Sequence, residues 1–115
     1  MTMTNHAQAD RLNRVLRKYG ITEEQYHQQL DAQVNRCPLC GKTFSSARLP
    51  AVEHRHKDGL WRGLTCVPCN FELGAHHDDA GWFARAALYL QHPPTLDTGI
   101  ECYVPGSLGE YRGKQ

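Results

Sequence analysis

A small α+β domain is what this sequence predicts, on three observations. Two Cys-x-x-Cys pairs, Cys37/Cys40 and Cys66/Cys69, stand either side of a short block. Within that block an Asp-Gly pair, Asp58-Gly59, separates two short strand-like runs. Helical periodicity flanks the block on both sides. Four thiolates in paired knuckles match the closed tetrahedral environment of structural zinc. A chain of 115 residues builds a thin core and gains from such a staple.

The elements follow in order. Residues 7–19 put Leu12, Val15, Leu16 and Tyr19 on one helical face, and Gly20 stops the helix. A second helix restarts at once over residues 23–34. Thr22 is its N-cap, Gln25 sits at the capping-box position, and Glu23 and Glu24 favour its first turn. Tyr26, Leu30 and Val34 form its apolar stripe, so residues 1–36 make a helical hairpin. Residues 37–41 read as a knuckle, and residues 42–50 are polar and irregular. The Asp-Gly turn then predicts antiparallel strands over 51–56 and 60–65. Cys69-Asn70 opens a short helix after the second knuckle. Asp78 or Asp79 caps a further helix over 80–91, which Pro93-Pro94 ends. Trp82, Phe83, Ala86, Ala87 and Leu90 give that helix a face expected in the core. Residues 37–92 are thus the zinc-bound centre of one structural domain, and residues 93–115 an extended tail.

Composition bounds the function. Thirteen basic against twelve acidic residues leave a net charge of +1, so any nucleic-acid binding must come from a local patch rather than a global field. Arg11, Arg14, Arg17 and Lys18 on the first helix are either a solvated face or a contact for phosphate. No apolar run approaches the ~20 residues of a membrane span. The N-terminal residues lack the apolar segment of a secretory signal, which points to the cytoplasm, where thiols stay reduced and favour a metal over disulfides. A secreted, disulfide-linked domain would also leave Cys102 unpaired; that residue reads as a small buried or half-buried hydrophobe.

A closed four-sulfur site has no open position for substrate, so it contributes folding rather than catalysis. His54 or His56 replacing one sulfur is the variant of this reading. The knot leaves Glu53-His54-Arg55-His56 and Asn70 unexplained. Phosphodiester hydrolysis needs a water deprotonated near neutral pH, which an imidazole can achieve. It also needs a hard cation, which takes oxygen from a carboxylate and an amide. Glu53, His54 and Asn70 are those three groups. Adjacent strand residues face opposite ways, so their convergence requires the strand to end, twist or bulge near 53–54. His56 shares the face of His54 and is placed to orient phosphate or support it. Each has a plainer reading: a solvated strand acid, an ordinary histidine, an asparagine that only caps a helix. Trp61 reads as packing, His76 and His77 as surface, and Arg62 as a solvated cation or a phosphate clamp.

These residues resemble the phage recombination endonuclease VII family, within the ββα-metal (His-Me finger) nucleases. The resemblance lies in Glu53-His54-Arg55-His56, Lys57-Asp58-Gly59, Arg62-Gly63-Leu64 and Cys66-Val67-Pro68-Cys69-Asn70, and extends over residues 19–92. It implies a ββα-metal fold and DNA endonuclease activity, with His54 as general base and His56 assisting. Glu53 and Asn70 would hold a catalytic magnesium or manganese ion, and the four cysteines zinc. Arg55 and Arg62 would contact DNA phosphate. Branched or junction DNA as substrate and a homodimer are the family-level expectations. Two departures stand out: Glu53 replaces the usual aspartate, and Arg55 replaces a common second acid. A helix carboxylate used by some members falls near Glu72, or Leu73 takes its place. The rival reading is a zinc-knuckle module that binds DNA or protein and does not cut.

Overall fold

Three helix ends in this chain close in the same way, and one of them uses glycine. The computed structural model describes residues 2–105. Helix α1 (Thr2–Tyr19) is followed by Gly20 at φ +68, and Ile21 donates its N–H back to the Leu16 carbonyl at 3.0 Å. Helix α2 (Glu23–Ala32) starts with the expected capping box, in which Thr22 and Gln25 exchange hydrogen bonds. It ends two residues before the expected Val34. Val34 N–H reaches Asp31 and Asn35 N–H reaches Leu30, both at 3.0 Å. This Schellman closure needs a left-handed residue, and Val34 (φ 54) and Asn35 (φ 55) supply two without glycine. Val34 therefore stands 71% exposed and leaves the stripe it was expected to join.

Strands β1 (Ala51–His54) and β2 (Trp61–Thr65) pair antiparallel. Both are shorter than expected, because Arg55 to Leu60 close a wider loop. In it Arg55 N–H meets the Leu60 carbonyl at 2.8 Å, and Gly59 adopts φ +80. Val52 opposes Leu64 and Glu53 opposes Gly63, but His54 opposes Trp61, so Arg62 is an extra residue and the ladder bulges there. The free edge of β2 is covered by Gln33. Its amide accepts from Leu64 N–H at 3.0 Å and donates to the Leu64 carbonyl at 2.7 Å. Gly63 permits this approach, since a Cβ there would stand 3.2 Å from Gln33 Oε1.

The core comprises Leu16, Ile21, Tyr26, Val52 and Leu64, with Leu12, Val15, Leu30, Phe44 and Trp61 packed against it. It joins the α1–α2 hairpin to the sheet. Phe44 comes from the irregular stretch 42–50, which an isolated bridge between Arg36 and Thr43 ties down. Helix α3 (Val67–Ala75) follows β2 directly.

The chain forms two compact units, one up to Asp79 and one from Ala80 onward. The second holds α4 (Ala80–Gln91) and α5 (Thr95–Thr98). No residue of α4 is buried; Trp82 is 40% exposed and Leu90 79%. The expectation that this stripe is core is corrected: a unit under ~40 residues has too little interior to bury one. The tail expected to be extended contains a helical turn, closed by Gly99 at φ +73; its residues 106–115 lie outside the described ones. Cys102 is exposed, contrary to its reading as a buried hydrophobe. Among the described residues no helix is long and apolar enough to cross a membrane.

Candidate active site and metal centre

The four knuckle cysteines converge. One ligand atom from each of Cys37, Cys40, Cys66 and Cys69 lies within 4.8 Å of the others. Cys40 Sγ and Cys66 Sγ stand 3.7 Å apart. A tetrahedral zinc–thiolate site with bonds of about 2.3 Å separates its sulfurs by about 3.8 Å, so the set fits a structural zinc ion. The surroundings split the thiols. Burial opposes ionisation of Cys37, yet the backbone N–H groups of Cys40, Cys66 and Leu39 outweigh it and bring that thiol down to about 6. Burial and the neighbouring sulfurs push Cys69 up. Crowded sulfur donors of this kind call for a cation at their centre. His54 and His56 lie elsewhere, and the sulfur set is complete without them.

The cysteine cluster brings the first turn of α3 to the knuckle that follows α2. Cys66 is the N-cap of α3 and Cys69 lies in its first turn, while Cys37 and Cys40 follow α2. Asn70 is the fourth residue of the helix and donates its N–H to the Cys66 carbonyl at 3.0 Å. Its side chain is therefore not the helix cap, which removes the plainer reading of that residue.

Beside the knot lies a cleft of about 600 Å³ whose walls include His54, His56, Asn70, Tyr19, Phe71 and Gly74. The two imidazoles meet edge to face, with ring centroids 5.5 Å apart. Tyr19 lies against the His54 ring at 5.6 Å. His54 Nδ1 is buried and has no hydrogen-bond partner among the described residues. His56 is exposed and packs on Gly74, where a Cβ would come within 3.4 Å of its Cε1.

Glu53 goes elsewhere. It is 4% exposed, and Arg62 Nε donates to its two carboxylate oxygens at 3.1 and 2.9 Å. Arg62 Nη2 adds a contact to Glu53 Oε1 and another to Asp78 Oδ1 at 3.1 Å. The register shift falls between Glu53 and His54, where a departure from regular pairing was needed. Its extra residue lies on the partner strand and turns Arg62 towards Glu53. His54, His56 and Asn70 are thus brought together, while Glu53 is held in an ion pair. Arg62 is accordingly neither a free cation nor an unengaged clamp.

Asp78 was expected at most as a helix cap. Its carboxylate instead accepts His56 N–H at 3.0 Å and stands 3.2 Å from His56 Nδ1. The His56 N–H and the Arg62 guanidinium hold Asp78 below the usual carboxylate range, against its partial burial. Its position beyond the motif gave no sequence signal except that an acid was present. Arg55 is engaged by Asp58 through a two-pronged contact, which holds the Asp58 carboxyl at about 2. Glu72 is exposed and stands 3.5 Å from His76, and Leu73 is half-buried. Trp61 packs against the core as expected. His77 is exposed, as expected, and His76 half-buried. Arg11, Arg14, Arg17 and Lys18 are exposed along α1, whose Val15 and Tyr19 reach the cleft.

The chain is similar to known proteins along most of its length. The family model described as recombination endonuclease VII matches residues 12–92. A protein of Mycobacterium phage L5 named Gene 59 protein is 39% identical over 93 residues, covering 80% of this chain and 57% of that protein. A Gene 59 protein of Mycobacterium phage D29 is 38% identical over 93 residues, covering 80% and 56%. The chain therefore spans little more than half the length of these curated relatives. No solved structure matches it significantly.

Proposed function

Since the chain belongs to the recombination endonuclease VII family, we propose that it is a divalent-cation-dependent DNA endonuclease of the ββα-metal (His-Me finger) type. The observation that carries this reading is the convergence of His54, His56 and Asn70 on one cleft beside the cysteine knot. His54 takes a proton from water, and the water oxygen attacks phosphorus. The P–O3′ bond breaks, and the electron pair leaves with the 3′ oxygen, which then takes a proton from solvent. His54 Nδ1 is buried, which leaves Nε2 as the ring nitrogen that His54 can offer to water in the cleft. His56, exposed at the same wall, contacts the phosphate.

Asn70 offers an amide oxygen and Glu53 a carboxylate, both hard donors suited to magnesium or manganese. Such an ion, when bound, supplies positive charge to the phosphoryl and departing oxygens. Glu53 is not on the cleft wall and is paired with Arg62, so it would join such an ion only after Arg62 released it. Arg62, once displaced, becomes a phosphate contact, as does Arg55 if Asp58 releases it. The α1 cations extend this path along backbone phosphates. Cys37, Cys40, Cys66 and Cys69 would hold a structural zinc ion, which would tie the first turn of α3, and with it Asn70, to the knuckle after α2. Branched or junction DNA as substrate, and a homodimer as the acting form, belong to this proposal at the family level.

The closed Glu53–Arg62 pair also favours a second reading, a zinc-knuckle module that binds DNA or protein without cutting it. Nicking of supercoiled plasmid with magnesium or manganese separates the two. Wild-type protein is expected to nick, and His54→Ala to bind DNA but lose cutting by about 10²–10⁴-fold. Wild-type protein that nicks under neither ion would establish the binding module. Matched linear, flapped and four-way substrates then rank the preferred DNA shape.

A further inference from the structure

We infer that Asp78 is a positioning residue for this site, fixing the rotamer and tautomer of His56 and linking it through Arg62 to Glu53; its catalytic meaning rests on the nuclease reading. One carboxylate serves both neighbours. Oδ2 takes the His56 backbone N–H at 3.0 Å and stands 3.2 Å from Nδ1 of the same residue. Oδ1 receives Arg62 Nη2 at 3.1 Å, and that guanidinium also binds Glu53. The Asp78 side chain is 13% exposed, so water competes weakly for it. A carboxylate beside Nδ1 keeps the proton on that nitrogen and leaves Nε2 as the atom His56 offers to the cleft. Gly74 beside Cε1 and the His54 ring, 5.5 Å away centroid to centroid, limit the alternatives.

The backbone sets where the carboxylate stands. α3 ends in a Schellman closure, with His77 N–H on Gly74 and Asp78 N–H on Leu73, each at 3.0 Å. His77 (φ 55) and Asp78 (φ 57) both occupy the left-handed region, where glycine is the inexpensive residue. Two successive non-glycine residues there cost stability, and the turn alone does not require a carboxylate.

The test reads the ring directly. In ¹⁵N–¹H spectra of the zinc-loaded wild-type protein, His56 is expected to carry its proton on Nδ1. Asp78→Asn keeps a residue that tolerates the left-handed backbone and removes the charge. It should move His56 towards the Nε2–H tautomer. A wild-type His56 with Nδ1 unprotonated, or unchanged spectra in Asp78→Asn, overturns the assignment whether or not the protein cuts DNA. On supercoiled plasmid, Asp78→Asn should lower kcat about tenfold with KM little changed. The double variant His56→Ala/Asp78→Asn should lose less than the product of the two single losses, since Asp78 acts chiefly through the His56 ring. Additive losses would reduce Asp78 to a structural residue. Absence of nicking by wild type would sink the nuclease reading and leave the tautomer result standing.

Discussion

Burying Glu53 at 4% exposure demands a counter-charge, and Arg62 supplies it. Breaking a buried pair from one side leaves an uncompensated charge and costs about 3–5 kcal/mol. Arg62→Met is therefore expected to lower the urea midpoint sharply, and Glu53→Gln in the same chain to recover much of the loss. Asp78 makes a further prediction through pH. Its folded carboxyl is held below the ordinary value near 4. A depressed acid contributes stability above its unfolded pKa and loses it as pH falls through the folded one. The stability gap between wild type and Asp78→Asn should close as pH falls below about 4, as denaturant titrations would show. Val34 pays for its turn without a visible return: a β-branched side chain at φ 54, 71% exposed. Val34→Asn should raise stability by about 1 kcal/mol, because asparagine tolerates that region. Sequence could name Glu53, His54, His56 and Asn70 but not the destination of Glu53. Whether an acid meets a metal or an arginine depends on which strand carries the extra residue, and no local pattern marks Arg62 for that part.

At the scale of elements, the capping box at Thr22 and Gln25 and the glycine after α1 were legible, because each is a short-range signal with its own chemistry; the Asp-Gly pair marked the chain reversal but not the wider loop from Arg55 to Leu60 that makes it. The ends of α2 and α3 were not, since both close through left-handed residues that are not glycine. The start of α3 at Val67 was missed for a related reason: Pro68 is favoured in a first turn but reads as loop when scanned singly. Gln33 is the least conspicuous structural residue, one polar side chain closing the edge of a two-stranded sheet at both backbone groups of Leu64. Gln33→Ala should cost about 1–2 kcal/mol and speed hydrogen exchange at Leu64. The knot binds the knuckle after α2 to the first turn of α3. Chelation of zinc, or Cys69→Ser, is expected to melt the hairpin together with α3, with loss of tertiary NMR dispersion rather than local fraying.

Across the whole molecule, a net charge of +1 hides an uneven surface. Arg55 and Arg62 are tied to acids, while the four cations of α1 remain exposed. DNA affinity should accordingly fall with added salt, and each α1 cation exchanged for glutamine should reduce the slope of log affinity against log salt by about one where it meets a phosphate. The family was readable because its signs are contiguous motifs. The division at Ala80 was not, since an apolar helical stripe looks alike whether or not a core receives it. The bulge at Arg62 has a consequence for how such a hairpin could arise or decay. One rail of the ladder is a rung longer than the other, and the spare rung carries the arginine. Excising that single codon would restore even pairing and tighten the sheet, yet it would strand an anion in the interior. The irregularity and the charge beneath it must therefore be gained or lost together.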